Sequence, residues 1–527
     1  MKKLTKILSL VLAVLICASL FAGCGDKQTV ADDGEKITIS LAVPGLEDGH
    51  KHDDVYKFIT EKFNIDFEFN ALSTQNMAEK SRLWIASGAV PDIMFADFVY
   101  KDYLSWGKQG LVKPLPKDYA KKYPNLADGL ERTMIMPKLV EDGNGVIFGI
   151  PRSMQSIHQY GFPTETPNHD RHALIYRKDW AKQLGIETSR IMKYDDFINM
   201  AVKFKEADLA GVGATNTMGV AVTPANAPFI FVHAQNPNWH VFYKNAEGKY
   251  VSGYNDEATI TGIEAYKEAY DKGVLHNSYY THKSTEILNF FATGKAGILF
   301  QSCGANDFQT VKTTFAKANP GLNADECIDI MWIEGKDGKV RTRHNANYWS
   351  CLYFNPAMDD AKFERILSML DWLVSDEGIT LLYSGFEGKE YKVEEDGTIT
   401  NLIEQPADGS VRKVNDIYPS VDFWTSIINK ANMGTHIQKI NYDTVADLMR
   451  AKHESNPESK ILDLDMEFYN SDLYGKFTAT QDAATIMAEI ITSTSADNVE
   501  KAYKDKVATF QNKIDAVTKE MNETLGK

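Results

Sequence analysis

The sequence predicts an α/β protein built as two lobes, and three observations predict it. At 527 residues the chain is longer than one hydrophobic core usually serves. Strand and helix periodicities alternate near the start. A fresh strand–helix unit (HALIYRKDWAKQLGI) opens far downstream.

The alternation is explicit in the residues. Ile37, Ile39, Leu41 and Val43 take every second position as a strand does, and Pro44-Gly45 ends the run. Val55, Phe58, Ile59 and Phe63 recur at helical spacing, and Ile65, Phe67 and Phe69 alternate again. MAEKSRLWIASG predicts a helix stopping at Gly88, and Ile93-Met94-Phe95 a third strand. Such a succession implies right-handed crossovers on a parallel sheet, with ligands beyond the carboxyl ends of the strands. Those ends are residues 45–53 (GLEDGHKHD) and 96–100 (ADFVY).

EDGNGVIFGIP reads as a turn feeding a strand. ITGIEAYKEAYDKGVL and KFERILSMLDWLVS carry buried helical stripes, and ILNFFATGKAGILFQ is a helix, a glycine stop and a strand. Near the end Val499, Tyr503, Val507, Phe510, Ile514, Val517 and Met521 keep steps of three and four, which predicts one long amphipathic helix.

The N-terminus has another character. Lys2, Lys3 and Lys6 precede an apolar run over residues 7–21, too short for a comfortable transmembrane span and laid out as a secretory signal. Phe21-Ala22-Gly23-Cys24 resembles the lipobox of bacterial lipoproteins, although that pattern prefers Leu, Val or Ile where Phe21 stands. The resemblance implies a signal peptide over 1–23, with Cys24 lipidated as the new N-terminus. An ordinary signal or an uncleaved anchor is the alternative. Residues 24–36 lack periodicity and read as a flexible tether. The formal charge is −15, about −18 once the three signal lysines are set aside. That argues against nucleic acid or an anionic membrane face as the main partner. Apart from Cys17 and Cys24, three widely spaced cysteines (Cys303, Cys327, Cys351) suggest buried free thiols.

ASGAVPDIMFAD, GVIFGIP, LIYRKDWAKQLGI, NWHVFYKNAEGKYVSG, FATGKAGILFQ and SDEGITLLYSGFEGKEYKVEEDG occur in this order. Together they resemble the extracellular solute-binding proteins of carbohydrate ABC transporters, in the large lipoprotein branch of Firmicutes that is similar to the alginate-oligosaccharide binders. The resemblance implies a two-lobe, periplasmic-binding-protein-like fold with discontinuous domains and a cleft between the lobes. Its expected division puts 37–165 and 295–358 in the first lobe, and 166–294 and 359–527 in the second. It also implies a monomeric receptor on the extracellular face of the cell membrane, delivering an oligosaccharide to permease subunits without a cofactor. Members similar to the alginate binders hold calcium in an acidic loop. Here KEADLAGVGATNTMG offers only Asp208, with Asn216 and Thr217 as weak extras, so the ion is expected to be lost.

Sugar binding needs flat apolar faces for the C–H side of a ring and planar polar groups for its hydroxyls. Trp84, Trp180 and Trp372 sit in helical patterns and read as core, while Trp106 reads either way. Trp239, in the polar loop NPNWHVFY, has no obvious core to fill and is the first candidate for stacking. Asn347, Tyr348 and Trp349 (NANYWS) form a second cluster, and Trp424 a third candidate. Arg152, Gln155, His158 and Tyr160 follow the GIP strand. Asp97, Glu47 and His50 follow other strands, and Glu387 lies in a motif that a glycine turn explains equally well. No GxSxG, HExxH or P-loop motif appears, and GHKHDD is a weak metal pattern. No catalytic or metal residue is assigned. A receptor for peptides or other polar solutes, or a surface carbohydrate-active enzyme with a carboxylate pair, stands as the alternative.

Overall fold

The computed structural model describes residues 34–73, 76–153, 170–213, 215–342, 346, 348–395, 399–406, 412–428, 442–456, 463–469 and 471–526. The strands in chain order are β1 Ile37–Ala42, β2 Ile65–Phe69, β3 Ile93–Asp97, β4 Ile150–Ser153, β5 His172–Arg177, β6 Ile191–Met192, β7 Met218–Ala221, β8 Phe242–Lys244, β9 Tyr250–Ser252, β10 Ala296–Ser302, β11 Ile328–Ile333 and β12 Tyr348–Phe354. Ten of them build two five-stranded sheets, ordered β2-β1-β3-β12-β4 and β6-β11-β5-β10-β7, while β8 and β9 pair as a separate hairpin. As the periodicities predict, β1 pairs in parallel with both β2 and β3. β12 returns antiparallel beside β3 and β4. Each sheet lies in its own hydrophobic core, and these cores define the two lobes.

The division of the chain differs from the expected one. β10 and β11 were expected in the first lobe, but they flank β5 in the second sheet. Residues expected in the second lobe from 359 onward instead stay in the first core as far as Ile428. From Val445 the chain belongs to the second core, except that Phe468 packs on the first. The reason is register. β10 carries a buried run (Ala296, Ile298, Leu299, Phe300) that the edge of β5 needs. The helix Asp360–Leu373 offers Phe363, Ile366, Leu367 and Leu370 to the first core.

The terminal amphipathic stripe is intact but does not form one helix. It divides into Val499–Ala508 and Gln511–Thr524, with Phe510 buried at the break. The first half packs on the helix Glu257–Asp271, and the second on β9 and the helix Asp472–Thr480. A straight rod could not follow both surfaces. Cys303, Cys327 and Cys351 are buried and unpaired. No helix of the described residues is long and apolar enough to cross a membrane. Residues 1–33, with Cys24, lie outside the described residues.

Candidate functional site

Three strands bring their ends together at the rim of the first sheet. Ser350 of β12 pairs with Asp97 on one side and with Arg152 on the other. A register shift between Tyr348 and Ser350 makes a bulge at Trp349. Bulges re-aim side chains. Trp349 is 42% exposed, while Tyr348 and Ser350 beside it are buried. Its indole and the ring of Phe95 meet edge to face, with centroids 5.4 Å apart. The tryptophan is thereby braced on the sheet while much of it stays open to solvent. Asp97 is half-buried, and loss of solvent raises its carboxyl above the ordinary range despite the nearby charge of Arg82.

The chain leaves β3 through Phe98 and Val99 into the helix Tyr100–Lys108. Here, two to four residues beyond the carboxyl end of a parallel strand, a cavity of about 450 Å³ opens. Its first-lobe wall is Val99, Tyr100 and Lys101, and its opposite wall runs from Phe468 to Ala479. Phe468 packs toward the first core, whereas Tyr474 packs against the second. The Tyr100 and Phe468 rings lie 4.7 Å apart. The Tyr469 and Tyr474 rings lie 5.8 Å apart. Lys101 Nζ reaches Asp472 at 3.4 Å. The hydroxyl of Tyr100 is buried with no hydrogen-bond partner among the described residues. That is a group waiting for an acceptor.

Local sequence explains the opposite wall. Ser471 caps the helix Asp472–Thr480, its hydroxyl accepting from the amides of Leu473 and Tyr474 at 3.1 Å each. The same hydroxyl donates to Glu520, and Tyr469 donates to Glu520 at 2.7 Å. Glu520 on the terminal helix thus pins the aromatic turn to the second lobe. Burial, followed by that carboxylate, pushes the Tyr469 phenol up to about 12.

The sequence candidates separate sharply. Asp97, Trp349 and Tyr348 gather at the sheet rim leading to the cavity. Trp239, expected to be an open stacking platform, is corrected: it is 2% exposed, within the second core. Its polar neighbours misled the reading because they bond to the chain itself. Asn236 donates to Asp256 and Thr259 and accepts from the amide of Asn238. Freed from the loop, the indole packs beside His240 at 4.1 Å and Phe229 at 5.5 Å.

Trp424 is likewise corrected. It is fully buried in the first core, against Phe423, Phe67 and Tyr56. Arg152, 4% exposed, spends its guanidinium on Ser350 Oγ, the carbonyls of Ile428 and Thr425, and the face of Phe95. So buried, it does not line the cavity described above. Glu47 and His50 cap one another around the short turn Asp48–Lys51. Glu387 is exposed on a glycine turn, where Gly385 and Gly388 hold positive φ and Glu390 accepts from the amide of Phe386. A Cβ at Gly385 would meet Glu390 at 2.8 Å. Trp106 is core, against Tyr353. Gln155, His158, Tyr160 and Asn347 lie outside the described residues.

Tyr100, Phe468, Tyr469 and Tyr474 are the wall residues the sequence reading passed over. Tyr100 ends the ADFVY stretch already marked as a strand end. EFYNSDLY carries its own signal, in aromatics set among helix-capping residues.

In the loop after the helix Tyr194–Ala207, where the sequence resemblance raises the question of calcium, Asp208 adopts a left-handed conformation (φ 41°). One carboxylate oxygen accepts from the amide of Val212 at 3.0 Å and from Thr217 Oγ1 at 3.1 Å. The other accepts from the amide of Gly213 at 2.9 Å. Asn216 donates to the carbonyl of Val212. The loop folds around one carboxylate whose oxygens are already engaged.

Residues 51–379 match the family model of the bacterial extracellular solute-binding proteins. The chain belongs to that family. It is 22% identical over 415 residues to the polygalacturonan/rhamnogalacturonan-binding protein YtcQ of Bacillus subtilis strain 168, covering 76% of each chain. Among solved structures it is similar to the Streptococcus pneumoniae ABC-transporter substrate-binding protein FusA, an EF-hand mutant in complex with fructo-nystose. That match has a TM-score of 0.64 at 15% identity and covers 93% of this chain and 99% of that one. The alginate-binding protein AlgQ2 without calcium ion superposes with a TM-score of 0.62 at 13% identity, over 95% and 100% of the two chains. The two lobes and the cavity between them are therefore the architecture of a solute-binding protein.

Proposed function

We propose that this solute-binding protein captures an oligosaccharide between its lobes and passes it, chemically unaltered, to an ABC permease. The observation that carries this reading is the cavity wall of Tyr100, Phe468, Tyr469 and Tyr474. Aromatic faces match the C–H faces of sugar rings, and the phenols, Asp97, Lys101 and Asp472 match hydroxyls. A volume of about 450 Å³ falls in the range of small-molecule sites. Relatives that bind a pectic polymer or a fructooligosaccharide support the carbohydrate class. A lipid on Cys24 would hold the receptor at the outer membrane face, raising its effective concentration near the permease.

Closure is a population shift: a solute touching both walls favours the form that brings Val99–Lys101 toward 468–479. Titration calorimetry against pectic, fructan and alginate oligosaccharides tests the proposal. Saturable binding with the sugar recovered intact is expected. Appearance of shortened glycans would make the protein an enzyme, and binding of peptides alone would remove the sugar reading.

A further inference from the structure

The cavity between the lobes holds more free donors than free acceptors. Two lysines line it, Lys101 on the first-lobe wall and Lys476 on the opposite one, against a single carboxylate, Asp472. No glutamate, asparagine or glutamine stands among its described lining residues. The whole chain carries a formal charge of −15, so the sign of the charge is inverted at this one place. The acceptors at hand are already engaged. Asp472 faces Lys101 Nζ at 3.4 Å. Behind the wall, Glu520 accepts from the hydroxyls of Tyr469 and Ser471. Two donors are not engaged. Lys476 has no ion-pair partner among the described residues, and the buried hydroxyl of Tyr100 has no hydrogen-bond partner there.

We propose that the cleft selects an acidic oligosaccharide, with Lys476 and the Tyr100 hydroxyl as the residues that read its charge. The inference rests on the oligosaccharide reading above and adds the charge class of the sugar. A neutral sugar hydroxyl both donates and accepts, so a site for it needs free carboxylate or amide oxygens beside its donors. A uronate carboxylate or a sulfate ester only accepts, which is what a surplus of donors calls for. Hydrogen bonds to an ionised acceptor are shorter and stronger than those between neutral groups. An acceptor brought to the Tyr100 hydroxyl also removes the cost of leaving that buried donor unmade. Tyr100 and Lys476 stand on opposite walls, so an anion held by both favours the closed form.

Titration calorimetry of the purified protein tests this with matched pairs. Oligogalacturonate and oligoalginate are each compared with their methyl esters, which keep the ring and lose the charge. A sulfated galactan oligosaccharide is compared with its desulfated form. An acid bound about tenfold or more above its neutral match is expected, and the pair that shows it tells carboxylate from sulfate. Added salt should weaken binding of the acid and leave its neutral match unmoved. Lys476→Met and Tyr100→Phe should each shrink the acid-to-neutral ratio about fivefold, whereas Lys476→Arg should keep it. Lys476 is exposed and Tyr100→Phe removes a single hydroxyl, so both variants are expected to fold. A neutral form bound as tightly as its acid, or a neutral fructan bound while every acid is refused, overturns the inference and leaves oligosaccharide capture standing. An undiminished ratio in both variants likewise overturns it. Refusal of every saccharide overturns both readings.

Discussion

The ring of Tyr100 stands 4.7 Å from the ring of Phe468, so an aromatic from each wall of the cleft meets its counterpart, and the buried hydroxyl of Tyr100 has no partner among the described residues. Neither residue is near the other in sequence. Only the folded chain brings them into contact at the edge of the cavity.

Tyr100→Ala, Phe468→Ala and Trp349→Ala should each weaken sugar binding by about tenfold, roughly 1.4 kcal/mol. Calorimetric titration measures it. Because Trp349 is 42% exposed, its replacement should move the melting temperature little. Affinity equal to that of the parent in all three variants would show that the solute sits elsewhere.

Trp239→Ala should behave in the opposite way. Removing a wholly buried indole from a core costs about 3–5 kcal/mol. Denaturant unfolding, followed by a probe in the second lobe, should show this loss, because two-lobed chains need not unfold in one step. A variant as stable as the parent would contradict the packing seen here.

Asp208→Ala should destabilise the loop after the helix Tyr194–Ala207 by about 0.5–1.5 kcal/mol, the net worth of hydrogen bonds whose donors are mostly open to water. Two amides and the Thr217 hydroxyl lose their acceptor together. Calcium at micromolar levels should leave the melting temperature of the parent protein unchanged. A rise of several degrees would mean that the ion displaces these bonds.

Acid should weaken the protein partly through Asp337. Two hydrogen bonds from Arg341, of 2.6 and 2.8 Å, lower its carboxyl from 3.8 to about 2. A depressed carboxyl binds fewer protons when folded than when unfolded. Its contribution is therefore full above about pH 4 and fades as pH falls toward 2. Asp337→Asn should flatten that part of the stability curve, read as melting temperature against pH. An identical slope in the variant would remove Asp337 from the account. Asp337 is about half-exposed, so solvent screens the pair and the effect should be small.

Local patterns carried much of the fold. The alternation in β1 and β2, the stop at Gly88 and the strand–helix unit at His172 were legible because each depends on neighbours within a few residues. The site was less legible. NPNWHVFY looked open because its asparagines are polar, yet Asn236 spends its bonds on Asp256, Thr259 and the main chain. Arg152 looked available because it follows a strand, but its partners at Ser350 and Ile428 come from chain far downstream.

The sequence by itself determined the strands, the helices, the apolar stripes and the likeness to a family of receptors, since periodicity and motif order are properties of short stretches. Tertiary structure alone decided which lobe holds β10 and β11, where the terminal stripe breaks, which tryptophans are core, and that 468–479 faces Val99–Lys101. The physical reason is that burial and hydrogen-bond partnership are fixed by segments far apart in the chain, so no stretch shows in its own residues whether its aromatic rings will meet solvent or one another.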